Sequence, residues 1–104
     1  MSTEQTGVEM IAAERDRQQN VEGYDRPSDV IQNPDGALAL AAATYALPTE
    51  ARAVIRPVNG SAPVTWPWSA VYFKPTPGDR VRELVKAGAL IAAEIDRLNA
   101  EASR

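Results

Sequence analysis

The chain contains no cysteine and no histidine. Disulfides, thiolate nucleophiles, imidazole bases and most zinc sites are thereby excluded, a composition that suits a reducing compartment. Long apolar runs are also missing. The longest, Ala37 to Ala43, falls far short of the roughly 20 residues needed to span a bilayer. Met1-Ser2-Thr3-Glu4 has no basic region leading into an apolar run, so no signal peptide is expected, and the expected location is the cytoplasm. No glycine-rich phosphate loop of the P-loop or dinucleotide-binding type is present. At 104 residues the chain is one domain, 1–104, at the small end where self-association often adds buried area.

Positive charge is scarce and unevenly placed. Residues 1–50 carry three arginines against nine acidic residues, whereas residues 51–86 carry six cations against Asp79 and Glu83 alone. One basic segment in an acidic protein argues against general binding to a nucleic-acid backbone and for a local anion site.

What is present reads as helix. Residues 1–6 are expected to fray, and Thr6 with Glu9 forms a capping-box signature ahead of Val8, Ile11 and Ala12, predicting a helix over about 7–21. Its second half, Glu14 to Asn20, is almost wholly polar. Either it is a solvated end with local ion pairs, or Arg15, Gln18 or Gln19 faces a partner or ligand. Glu22 to Asp29 follows as an acidic connector. Glu22, Asp25 and Asp29 are enough carboxylates for a hard cation if Glu14 or Glu94 joins them, although loops of this composition are more often simply solvated.

Asn33-Pro34 predicts the start of a second helix over about 34–46, apolar on all sides and therefore expected at the centre, with its alanines facing Gly88 of the last helix. Thr49-Glu50-Ala51-Arg52 offers one more helical turn. Beyond it, Asn59-Gly60 between two short apolar runs predicts a loose hairpin or an ordered loop. The last helix is expected over about 77–100, with Thr76 as cap and Pro77 in its first position. Val81, Leu84, Val85, Gly88, Ile91, Ala92, Ile95 and Leu98 recur three or four apart, predicting its buried stripe. The expected fold is all-α: a small three-helix domain with a Pro/aromatic-rich loop or loose β-hairpin between helices two and three.

Four of the six aromatics lie between Trp66 and Phe73, directly before that helix. Aromatic faces stack on bases, cations neutralise phosphate, and a helix N-terminus presents free N–H groups to an anion. Trp66, Trp68, Tyr72, Lys74, Arg80, Arg82 and Lys86 are accordingly the candidate ligand-binding residues, for a nucleotide or cyclic dinucleotide. The alternative is that the tryptophans and Phe73 cap the small core while the cations sit in solvent.

Several blocks together resemble a family of small phage and prophage accessory proteins. They are Ile11 to Gln18, Glu22-Gly23-Tyr24, Ala37 to Ala46, Trp66-Pro67-Trp68, Phe73-Lys74-Pro75 and Arg80 to Leu98. The resemblance implies a viral gene expressed in a bacterial host, and so the host cytoplasm. The family typically carries a tryptophan and a His-Asp-Asp-like turn after the Glu-Gly pair. Here Tyr24 stands near the tryptophan position, and Asp25 and Asp29 remain without a histidine.

Three functions follow as expectations. One is a non-enzymatic binder, an anti-defence protein sequestering an anionic nucleotide-type ligand. Another is an inhibitor that binds a host protein through the same aromatic and basic surface, since Trp, Tyr and Arg dominate hot spots. The last is an all-helical nucleotide pyrophosphohydrolase, for which Glu22-x-x-Asp25 supplies half of the paired acidic signature. The first is preferred, with no catalytic residue, resident metal or cofactor, no membrane partner, and a homo-oligomeric state.

Overall fold

The computed structural model describes residues 5–21, 36–55 and 62–103. Four α-helices are seen there: α1 (Gly7–Val21), α2 (Ala37–Ala46), α3 (Thr49–Ile55) and α4 (Arg80–Ala102), with a 3-10 turn at Ala70–Tyr72. Among the described residues there is no strand, so the chain is a small all-α domain. No helix is long and apolar enough to cross a membrane.

The capping box at the start of α1 forms as its sequence requires. Thr6 N donates to Glu9 Oε1 at 2.8 Å and Glu9 N donates to Thr6 Oγ1 at 3.2 Å, satisfying two N–H groups that would otherwise lack partners. α2 follows Gly36, whose φ of +79° is a left-handed conformation that favours glycine. Asn33-Pro34 and Asn59-Gly60 lie outside the described residues. Ahead of that second pair, Val54 and Ile55 lie in α3.

α4 begins at Arg80 rather than at Pro77. Asp79, not Thr76, is its cap, accepting from Arg82 N at 3.0 Å. Thr76 is used otherwise: its N–H donates to Glu83 Oε2 at 3.0 Å and its carbonyl accepts from Asp79 N at 2.8 Å, closing a turn ahead of the helix. The proline and glycine therefore belong to that turn.

Packing departs from the apolar stripe. The buried face of α4 is Glu83, Val85, Ala87, Ala89, Leu90, Ala93 and Arg97, whereas Val81, Leu84, Ile91, Ile95 and Leu98 are 45–56% exposed. The reason is steric. α2 brings an alanine-rich face, and two helix backbones approach closely only where both present small side chains. Leu38, Ala41, Ala42 and Tyr45 of α2 meet Ala87, Leu90 and Ala93 in the core. α2 is thus buried on one side only, with Leu40 46% exposed. Gly88 does not face α2 either. A Cβ placed on it would lie 2.5 Å from Ile11 Cδ1, so Gly88 is the notch in which α1 crosses α4.

Candidate functional site

The aromatic segment joins α3 to α4 and folds back on the core. Trp66 packs edge-on against Tyr45 and Trp68, with centroids 5.5 and 5.2 Å away, and Phe73 closes the cluster at 5.1 Å from Trp66. Its main chain is tied down by Trp66 Nε1 donating to the Ser69 carbonyl at 3.0 Å and by Lys74 N donating to Tyr45 Oη at 2.9 Å. Trp66, Trp68 and Phe73 all pack on the core, as the capping alternative expects.

Of these rings, Tyr45, Trp66 and Trp68 also wall a cleft of about 300 Å³. Trp66, Trp68, Tyr72 and Lys74 come from the loop, Tyr45 from α2, Lys86 and Leu90 from α4, and Glu14, Arg17 and Gln18 from α1. Five of the seven candidate residues therefore converge. Arg80 and Arg82 do not line this cleft. Arg80 donates to the carbonyls of Tyr45, Ala46 and Leu47 and pairs with Glu83 at 3.2 Å, closing the C-terminus of α2. Arg82 pairs with Glu14 Oε1 at 2.9 Å and so stands behind the cleft wall.

The α1 wall is built from a polar stretch that is buried at Glu14, Arg15 and Gln18 and exposed at Asp16 and Asn20. Glu14, Arg15 and Gln18 are 3%, 7% and 4% exposed. Glu14 accepts from Arg17 Nε at 2.9 Å, Arg17 Nη2 at 2.8 Å and Gln18 Nε2 at 3.1 Å. Burial opposes its charge, but the bonds from Arg17 and Gln18 and the charge of Arg82 outweigh that, holding the carboxyl below its usual range. Because an ionised carboxylate only accepts, the Gln18 amide is fixed with nitrogen toward Glu14. Its Oε1 is left as a buried acceptor with no hydrogen-bond partner among the described residues.

Across the cleft, Lys86 Nζ donates to the Lys74 carbonyl at 2.8 Å and sits 5.4 Å from the centroid of the Tyr45 ring. Burial pushes the Lys86 ammonium down, Arg82 and Arg17 push the same way, and Glu14 only partly offsets them. Arg17, Lys74 and Lys86 thus face one carboxylate, Glu14, around the opening. A site with excess positive charge and a lysine whose charge is disfavoured gains from an anion.

Glu14, Arg17 and Tyr45 join the candidate ligand-binding residues here, and Gln18 is one of three that the polar half of α1 offers. The signal was their spacing, with 14, 17 and 18 on one helical face. Glu22, Asp25 and Asp29, the acidic connector, lie outside the described residues. Among the described residues no group of three or more Asp or Glu is placed to hold a metal ion. Glu94, the other proposed contributor, is bonded to Arg97 at 2.7 Å.

No protein-family model matches the chain, and no curated protein or solved structure matches it.

Proposed function

We propose that the chain is a non-enzymatic binding protein whose cleft takes a small anionic ligand bearing a planar ring, of the nucleotide type. One observation supports this reading: among the described residues, four aromatic rings and three cations line one opening together with a single carboxylate. Trp68 and Tyr72 offer faces for stacking, and Lys86, Arg17 and Lys74 neutralise the anion. The buried Gln18 Oε1 accepts a hydrogen bond from the ring edge, recovering the cost of about 1–3 kcal/mol of leaving it unpaired. A volume of about 300 Å³ lies at the lower end of small-molecule sites, about 300–1,000 Å³, and favours one mononucleotide over a cyclic dinucleotide.

The resemblance to phage accessory proteins supplies the biological setting. In it, the protein acts in the host cytoplasm and sequesters a nucleotide signal of host defence. A second reading has one observation in its favour: Tyr72 is 63% exposed at the rim, where it can anchor a host protein.

Mass spectrometry of small molecules released by heating the purified protein, with a thermal-shift panel of mononucleotides, separates the two. A nucleotide released unchanged, together with a raised melting temperature, supports sequestration. A flat panel with a co-purifying host protein transfers the site to the second reading. Magnesium-dependent release of pyrophosphate would instead make the chain an enzyme.

A further inference from the structure

Val81, Leu84, Gly88, Ile91, Ile95 and Leu98 are spaced three, four, three, four and three residues apart. That is the alternating a/d pattern of a coiled-coil seam sustained over most of a 23-residue helix. In the folded chain this seam is not the core face. Its five large side chains are 45–56% exposed, on the side of α4 turned away from Lys86 and Leu90. The one gap, at Gly88, is filled by Ile11 of α1, so the apolar ridge is continuous.

We propose that this seam is a docking surface for a second copy of the chain, with the two α4 helices packed antiparallel about a two-fold axis. Orientation follows from two observations. In a parallel pair Gly88 would oppose Gly88, so the two Ile11 side chains that fill it, and the two α1 helices that carry them, would crowd each other at the middle of the interface. An antiparallel pair sets Leu84 against the partner's Ile95, Val81 against the partner's Leu98, and Gly88, filled by Ile11, against the partner's Ile91.

Charge points the same way. Beside the seam, the first half of α4 carries the partly exposed Arg80 and the second half the partly exposed Glu101. Antiparallel packing brings these two opposite charges together at each end. The best-placed flanking pair is Arg80 with the partner's Glu101, the side chains being 38% and 43% exposed within one chain. Such pairs choose partner and direction more than they add affinity.

The area is also consistent with a second copy. Five half-exposed aliphatic side chains leave several hundred Å² of contiguous apolar surface, the size at which patches on monomers mark interaction sites. Doubling that ridge and adding its flanks brings the total toward the roughly 1,200 Å² at which specific interfaces begin. The interface leaves the cleft open, so it holds or fails independently of the proposed ligand.

Because the chain has no cysteine, introduced thiols report orientation without background. Sedimentation equilibrium on the full chain at micromolar concentration is expected to give a mass of two chains. Ile91→Lys, at a half-exposed position, should keep the helical circular dichroism and raise the dissociation constant at least about 30-fold, as for an anchor residue. Mixed Leu84→Cys and Ile95→Cys chains should cross-link to each other on mild oxidation. Leu84→Cys alone should not, because two copies of residue 84 lie about 16 Å apart along antiparallel helices. A wild-type monomer, an Ile91→Lys dimer of unchanged strength, or efficient self-linking of Leu84→Cys would each overturn the proposal.

Discussion

Two buried glutamates anchor the two sides of α4, and each clamps a pair of arginines. Glu83, 1% exposed, accepts from Arg52 Nη2 at 3.0 and 2.9 Å and pairs with Arg80. Glu14, 3% exposed, pairs with Arg17 at 2.8 Å and Arg82 at 2.9 Å. The chemistry is the same, but the surroundings differ. Around Glu83 the remaining guanidinium donors end on main-chain carbonyls of α2 and on Thr49 Oγ1, and Thr76 N occupies a carboxylate oxygen. Around Glu14 both arginine side chains stay 39% and 35% exposed, whereas at Glu83 Arg52 is 7% exposed and only Arg80 reaches solvent, and Lys86 and Gln18 open onto a cleft. The more enclosed cluster is architecture, whereas the more open one is the wall that we propose binds the ligand.

That contrast predicts unequal costs for the same substitution. Glu83→Ala strands two arginines, one of them buried, and should destabilise the fold by about 3–5 kcal/mol in urea unfolding. Glu14→Ala should cost less, about 1–3 kcal/mol, because Arg17 and Arg82 can turn into water. Equal costs would mean that the second cluster is as sealed as the first.

Gly88→Ala tests the crossing of α1, which brings Glu14 to the cleft. The added methyl gains about 1 kcal/mol of helix propensity but must displace Ile11, an overpacking cost of about 1–3 kcal/mol. A net loss of about 1 kcal/mol is expected, and Ile11→Ala in the same chain should relieve the clash, measured by a double-mutant cycle. Additive effects would remove Gly88 from the account.

The smallest effect is on pH dependence. Glu14 and Glu83 both have folded pKa values below 4.5. Their contribution is therefore complete above 4.5 and is lost as the pH falls through the folded values. Lys86 acts in the opposite window. Its folded pKa lies below 10.5, so the unfolded chain holds more protons between the two and stability rises across that range. Lys86→Met should flatten the alkaline rise and leave the acid limb unchanged.

The sequence made α1, the all-α class and the meeting of aromatics with cations legible, because caps and local spacing encode them. It misdirected the stripe on α4. Periodicity shows that one face is apolar, and Leu84, Ile91 and Ile95 satisfy it, but it does not say which face the neighbouring helices choose. Close packing against the alanines of α2 favoured Ala87 and Ala93 instead. Arg80 and Arg52 were equally opaque, since a basic residue that closes a helix terminus 33 or 5 residues away along the chain looks like any surface cation. The burial of Glu14 was not legible because its partner Arg82 lies far along the sequence.

The central claim is that the open cluster binds an anion carrying a stacked ring. Calorimetric titration of the full chain with a nucleoside monophosphate and with its parent nucleoside tests it most directly. The monophosphate should bind at least about tenfold more tightly, in line with charge-assisted hydrogen bonds worth about 1.5–3 kcal/mol, and Lys86→Met should erase most of that difference. Equal affinities for the two ligands, or no binding by any of the common monophosphates, would contradict it.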